Sequence, residues 1–125
     1  MMWVFIYIIL VHWICDFVFQ SRLMGENKGK DNFWLTAHVS VYTFFTILLW
    51  IFGFSLIGIS IGAKTVWLAF SLVFVSHWIT DYITSRLTGK FYLEKRWYSF
   101  FNTIGFDQVL HYIQLFSVYT YIILS

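Results

Sequence analysis

Four apolar runs divide the chain, at about Met2 to Gln20, Asn32 to Gly53, Lys64 to Leu87 and Asn102 to Leu124. Each is close to the roughly 20 residues that a membrane-spanning helix needs. Of the 125 residues, 60% are hydrophobic and 11% charged, with a mean hydropathy of +0.74. A water-soluble fold this small needs more charge to cover its surface, so lipid is the expected solvent for most of the chain. Aromatics reach 24% and proline is absent, which suits a few unkinked spans. The expected fold class is all-α: a polytopic membrane protein with four transmembrane helices in a single domain.

The connections differ in character. Ser21 to Asp31 carries Gly25, Gly29 and five charged residues and reads as a tight polar loop, whereas Phe52 to Ala63 is mostly apolar and reads as a short turn. Thr88 to Phe101 mixes Lys90, Glu94, Lys95 and Arg96 with six aromatics and suits a strip in the headgroup region. Seven of the eight basic residues flank the first and third connections, and only Lys64 flanks the second. The positive-inside rule then puts those two connections in the cytoplasm and both termini outside. The first run has no basic leader and carries His12 and Asp16, so a signal peptide is not expected. The lone Cys15 has no internal partner for a disulfide, and a net charge of +2 gives no reason to expect nucleic acid.

One phrase occurs twice. His12-Trp13-Ile14-Cys15-Asp16-Phe17 returns as His77-Trp78-Ile79-Thr80-Asp81-Tyr82. The histidine and aspartate are four apart, one helical turn, and share a face. Two hairpins that each open with this phrase imply a pseudo-two-fold axis along the membrane normal. The second halves match less well, since His38 stands alone where the last run has Asp107 and His111.

All four histidines and three of the six acids fall inside the runs, at a similar height in the cytoplasmic half. An aspartate at a helix centre costs roughly 2.5 to 3.5 kcal/mol to insert, so three cost on the order of 8 to 10. A divalent transition metal such as zinc, manganese or iron offsets that most economically, because imidazole and carboxylate are its ordinary ligands. The candidate ligands are His12, Asp16, His38, His77, Asp81, Asp107 and His111. Seven exceed the four of a structural zinc, so two ions, or one ion with an outer hydrogen-bond network, fit the count. The alternative is a His-Asp network with no ion, in which each contact returns only about 0.6 kcal/mol.

Around this set, Gln20, Glu26, Lys28, Arg86 and Gln108 are candidates for orienting ligands or touching a substrate. Lys30, Lys95 and Arg96 extend the basic rim, which serves either as a topology signal or as a grip on an anionic headgroup. Cys15 reads as a buried small hydrophobe. Ser76 points about 100° away from His77, which argues against a Ser-His-Asp triad. Trp13 and Trp78 read as packing between hairpins.

The motifs HxxxDFxxQ (His12, Asp16, Phe17, Gln20), MGENKGKxN (Met24 to Asn32), a lone His38, HxxxDYxxSRL (His77 to Leu87), EKRW (Glu94 to Trp97) and GFDQxLH (Gly105 to His111) cover nearly the whole chain. Together they resemble the small bacterial and phage membrane proteins grouped as domain-of-unknown-function family 3307. The resemblance implies a bacterial or phage origin and a signature made of polar membrane residues. A looser likeness is to bacterial membrane-bound metal-dependent hydrolases.

Three functions compete. The first is a metal-dependent hydrolase of an ester or phosphoester at the cytoplasmic leaflet, with Asp81 and Asp107 as catalytic carboxylates. The second is a metal-ion or proton carrier or channel, for which the outer half lacks a polar stripe. The third is a non-catalytic membrane factor with the metal as a staple. Expected partners are membrane lipid, an anionic headgroup or small substrate, and a second copy of the chain, since lipid-facing and partner-facing aromatics look alike in sequence.

Overall fold

A computed structural model describes residues 2–125, most of them helical, with no strand among them. Helix α1 spans Met2–Trp13 and runs straight into a π-turn, Ile14–Val18. A short α2, Arg22–Asn27, follows, then three long helices: α3 (Asn32–Leu56), α4 (Ala63–Leu93) and α5 (Trp97–Leu124). Of these, α3 and α4 are long and apolar enough to cross a membrane. The apolar stretch Met2–Val18 is shorter. The first half of α5 is diluted by Asn102, Asp107, Gln108 and His111.

Local chemistry sets the ends. Ser21 caps α2 by accepting from the Met24 N–H at 3.2 Å, and Asp31 caps α3 by accepting from Phe33 N–H at 2.8 Å. Leaving α3, the Gly58 N–H bonds to Ser55 C=O and the Ile59 N–H to Phe54 C=O, with Gly58 at φ +79°, a glycine-ended Schellman motif. The same pair of bonds closes α4 (Lys95 N–H to Tyr92, Arg96 N–H to Phe91), with Lys95 at φ 55° in the glycine position.

Three expected segments change form. The polar loop 21–31 contains the α2 turn, because Ser21 supplies a cap. Thr88 to Leu93 is the end of α4 and not a strip lying flat, so only Glu94 to Arg96 separates α4 from α5. Helix α3 continues through Gly53, where the ring of Tyr7 lies against the bare Cα and its hydroxyl donates to Leu49 C=O.

Successive long helices run in opposite directions. Phe54, late in α3, packs on Tyr119, late in α5, with ring centroids 5.6 Å apart, and on Tyr7 of α1. At the other end, the Arg86 guanidinium of α4 donates to Asn32 at the start of α3. The apolar core, including Ile8, Ile47, Trp50, Phe54 and Val73, sits toward the first of these ends. Large apolar side chains also cover the outside: Trp3, Phe44, Phe52, Trp67, Phe106 and Ile113 are all exposed.

Candidate metal centre

Every histidine of the chain, with Asp16 and Asp81, is buried at the level where the π-turn, α3, α4 and α5 meet. Asp107 is next to them, with its side chain 15% exposed. The π-turn matters for the first motif. The Phe19 N–H reaches back five residues to Ile14 C=O at 2.9 Å, and Cys15 and Asp16 both face inward. Such one-turn widenings recur at functional sites. In the second motif, His77 and Asp81 lie mid-way along an unbroken α4.

The atoms converge tightly. His38 Nε2 lies 3.0 Å from Asp16 Oδ1, 3.3 Å from Asp81 Oδ2 and 3.3 Å from His77 Nε2. His77 Nε2 lies 3.6 Å from Asp16 Oδ1 and 3.5 Å from Asp81 Oδ2. Ligand atoms about 2.0 to 2.1 Å from a tetrahedral ion are spaced about 3.3 Å apart. These five separations, from 3.0 to 3.6 Å, bracket that spacing. Moreover, Asp16 Oδ1 is fully buried and receives no hydrogen bond of proper geometry. A buried carboxylate oxygen without a donor is expensive, and a cation satisfies it. The four residues therefore fit a divalent ion.

A second group adjoins the first. Asp16, Asp107 and His111 present ligand atoms within 4.8 Å of one another. His111 Nε2 is 3.0 Å from Asp81 Oδ1 and 3.4 Å from Asp107 Oδ1. His12 Nε2 is 3.7 Å from Asp16 Oδ2. Both motif aspartates thus divide their oxygens: Oδ1 of Asp16 and Oδ2 of Asp81 face His38 and His77, while the opposite oxygens face His12 and His111.

An outer ring orients these groups. Gln108 donates to Asp107 at 3.0 Å, and its carbonyl lies 3.0 Å from His12 Nε2. Thr84 donates to Asp107 Oδ1 at 2.5 Å. Tyr42 holds His12 Nδ1 at 2.9 Å and stacks on His77 at 3.9 Å, whose other face stacks on His111 at 4.2 Å. The Nδ1 atoms of His77 and His111 have no partner, so stacking sets these two rings where metal-bound histidines usually have an acceptor.

Lys28 also enters the cluster, from the connection between α2 and α3. Its Nζ donates to Asp81 Oδ2 at 2.8 Å and lies 3.3 Å from His38 Nε2. Burial pulls the ammonium toward neutrality, but the Asp81 and Asp16 carboxylates more than offset this and raise its pKa above the ordinary lysine value.

The remaining expected residues lie elsewhere. The Gln20 amide rests over Gly25, away from the ligands, since the chain leaves helical form after the π-turn. Glu26 is exposed and paired with Arg22 at 2.7 Å. Arg86 is taken up by Asn32 and by the Tyr82 ring, 3.8 Å below its guanidinium. Ser76 donates to Val73 C=O, and Cys15 is buried. Trp78 donates to Thr36 at 3.1 Å, whereas Trp13 is 53% exposed and packs between no hairpins. Tyr42 and Thr84 were not among the sequence candidates. Their signal is spacing, one helical turn from His38 and from Asp81.

An all-α chain whose apolar helices converge on a buried imidazole and carboxylate cluster able to hold a metal ion is thus defined. The chain belongs to the family described as "Protein of unknown function (DUF3307)", whose model matches residues 4–125. No curated protein and no solved structure matches it.

Proposed function

We propose that this is a multi-pass protein of the bacterial inner membrane and a metal-dependent hydrolase acting on an ester or phosphoester at the cytoplasmic leaflet. The observation that carries the reading is the division of the Asp16 and Asp81 oxygens between two adjacent ligand groups, the arrangement of carboxylates that hold a pair of ions inside helical proteins. A membrane setting is supported by α3 and α4 and by the exposed apolar surface, far larger than a soluble monomer tolerates. In this reading α1 and α5 cross as well, giving four spans in two repeated hairpins. The equal 3.0 Å separations His38–Asp16 and His111–Asp81, one within each hairpin, support the repeat.

A divalent ion in such a site supplies Lewis-acid polarisation of a substrate oxygen and activates water for attack. The protein's own groups do the rest. Asp16 and Asp81 position the site, and the stacked rings of Tyr42, His77 and His111 exclude bulk water from one side. Asp107, the most accessible of the three aspartates, accepts the proton of the attacking water; Thr84 and Gln108 hold its carboxylate in place.

A carrier is the runner-up, and the apolar core beyond the cluster weighs against it: Ile47, Trp50, Phe54 and Val73 offer an ion no ligand. The test uses protein in maltoside micelles loaded with zinc or manganese. Hydrolysis of p-nitrophenyl phosphate or a short-chain p-nitrophenyl ester that a chelator stops and Asp107→Asn abolishes supports the enzyme. No hydrolysis, with metal flux into proteoliposomes abolished by Asp81→Asn, supports the carrier instead.

A further inference from the structure

A cleft of about 790 Å³ lies between the α2 connection and the last turns of α4. The ligand set described above does not use it. Its wall carries Lys28, Lys30, Arg86 and Lys90 against two carboxylates, Glu26 and Glu94. Both carboxylates are already engaged, by Arg22 at 2.7 Å and by Arg96 at 3.4 Å. Lys30 and Lys90 have no carboxylate partner among the described residues.

Lys28 joins the cleft to the metal cluster. An ammonium carries three donors, and one of these goes to Asp81 Oδ2, while the nearby His38 Nε2 has its single lone pair turned to the ion. The remaining donors are free for an oxyanion. Such an oxyanion, about 2.8 Å from Nζ, would lie within about 6 Å of the Asp81 carboxylate that faces the ion. The backbone is built for this approach: a Cβ on Gly29 would stand 2.8 Å from Ser85 C=O, so only glycine lets the connection lie this close to α4.

We propose that this cleft is a binding site for a phosphate group, with Lys28 holding one phosphate oxygen toward the metal cluster and Lys30 and Lys90 neutralising the remainder. The inference deepens the hydrolase reading by naming its substrate as a phosphate ester, yet the cleft binds phosphate whether or not the chemistry follows. Tyr92, Leu93 and Phe100 form an apolar rim on the same cleft, where the organic part of the ester would rest. The phosphate comes either from a lipid headgroup or from a water-soluble ester.

Full-length protein in maltoside micelles, with zinc content measured on every sample, is titrated with inorganic phosphate by calorimetry. Lys28→Met removes a charged hydrogen bond, and affinity is expected to fall by about ten- to hundredfold. Gly89→Glu places a negative charge on the cleft wall where a Cβ meets nothing within 4 Å. It is expected to weaken phosphate comparably at unchanged zinc content, while Lys64→Met, which removes a charge at the other end of the molecule, leaves phosphate affinity unchanged. Displacement of phosphate by mixed micelles of phosphatidic acid at lower concentration than by glycerol 3-phosphate assigns the lipid source, and the reverse order assigns the soluble one. Absence of saturable phosphate binding in zinc-loaded protein, or binding indifferent to both Lys28→Met and Gly89→Glu, overturns the proposal while leaving the metal centre standing. Phosphate binding that responds to both variants in protein that takes up no zinc keeps the cleft and removes the centre.

Discussion

The two copies of the HWIxD phrase share four residues and the i, i+4 spacing, yet they are set in different backbones. His12 and Asp16 bracket a π-turn that ends their helix, and the pair is 3.7 Å apart. His77 and Asp81 lie within the 31 residues of α4, 3.5 Å apart. Three imidazoles approach each aspartate, but Asp81 is also paired with an ammonium, whereas Asp16 has none and keeps one oxygen without a hydrogen-bond donor. The copy on the regular helix is already electrostatically supported, and the copy on the widened turn is the one that most lacks a cation. A repeated motif thus supplies similar ligands, and the surrounding backbone decides how each is used.

The largest expected difference is between the aspartates. Asp81→Asn takes the partner from a mostly buried lysine as well as a ligand from the ion, and loss of about 3 to 5 kcal/mol of stability is expected. Asp16→Asn leaves the lysine pair intact and, without metal, removes a buried charge that has no hydrogen-bond donor on Oδ1, so the loss should stay under about 1 kcal/mol. Chemical denaturation in mixed micelles, without added metal, measures both; equal losses would break the contrast between the copies.

The histidines come next. His77→Ala removes a ring that belongs to the four-residue group and is stacked between Tyr42 and His111, so bound metal is expected to fall to near zero. His12→Ala leaves Asp16, His38, His77 and Asp81 in place and should retain an ion in that group. Metal content after gel filtration separates the two, and loss of all metal in both variants would mean that the groups do not fill independently.

The tryptophans give the smallest effect. Trp78→Phe forfeits the bond to Thr36, worth about 1 kcal/mol. Trp13→Phe, on an exposed side chain, should stay within about 0.5 kcal/mol. Thermal melts in one detergent compare them.

The helical class and the residues that meet were legible in the sequence, because burying a histidine or aspartate in an apolar run demands a partner and spacing fixes the face. The start of α3 at Asn32 was also legible, because the polar loop ends at Asp31 and the apolar run begins there. The end of α4 was not: Thr88, Gly89 and Lys90 interrupt the apolar run, yet the helix continues to Leu93, because hydropathy marks solvent and not hydrogen bonding. The π-turn was hidden because both copies of the phrase read alike locally. Lys28 was among the expected substrate or orienting residues, but its entry into the cluster was not legible, since nothing in the loop composition foretells that Gly29 lets the backbone seat against Ser85. Gln20 follows the π-turn, where the chain leaves helical form, so its amide lies over Gly25 and not one helical turn below Asp16.

Metal content bears most directly on the central claim. Protein extracted in mild detergent from cells grown with zinc, manganese and iron, and measured by inductively coupled plasma mass spectrometry, is expected to carry one or two transition-metal ions per chain and to lose them in Asp81→Asn. Folded wild-type protein with no stoichiometric metal, unable to take it up from added zinc, manganese or iron, would contradict the account.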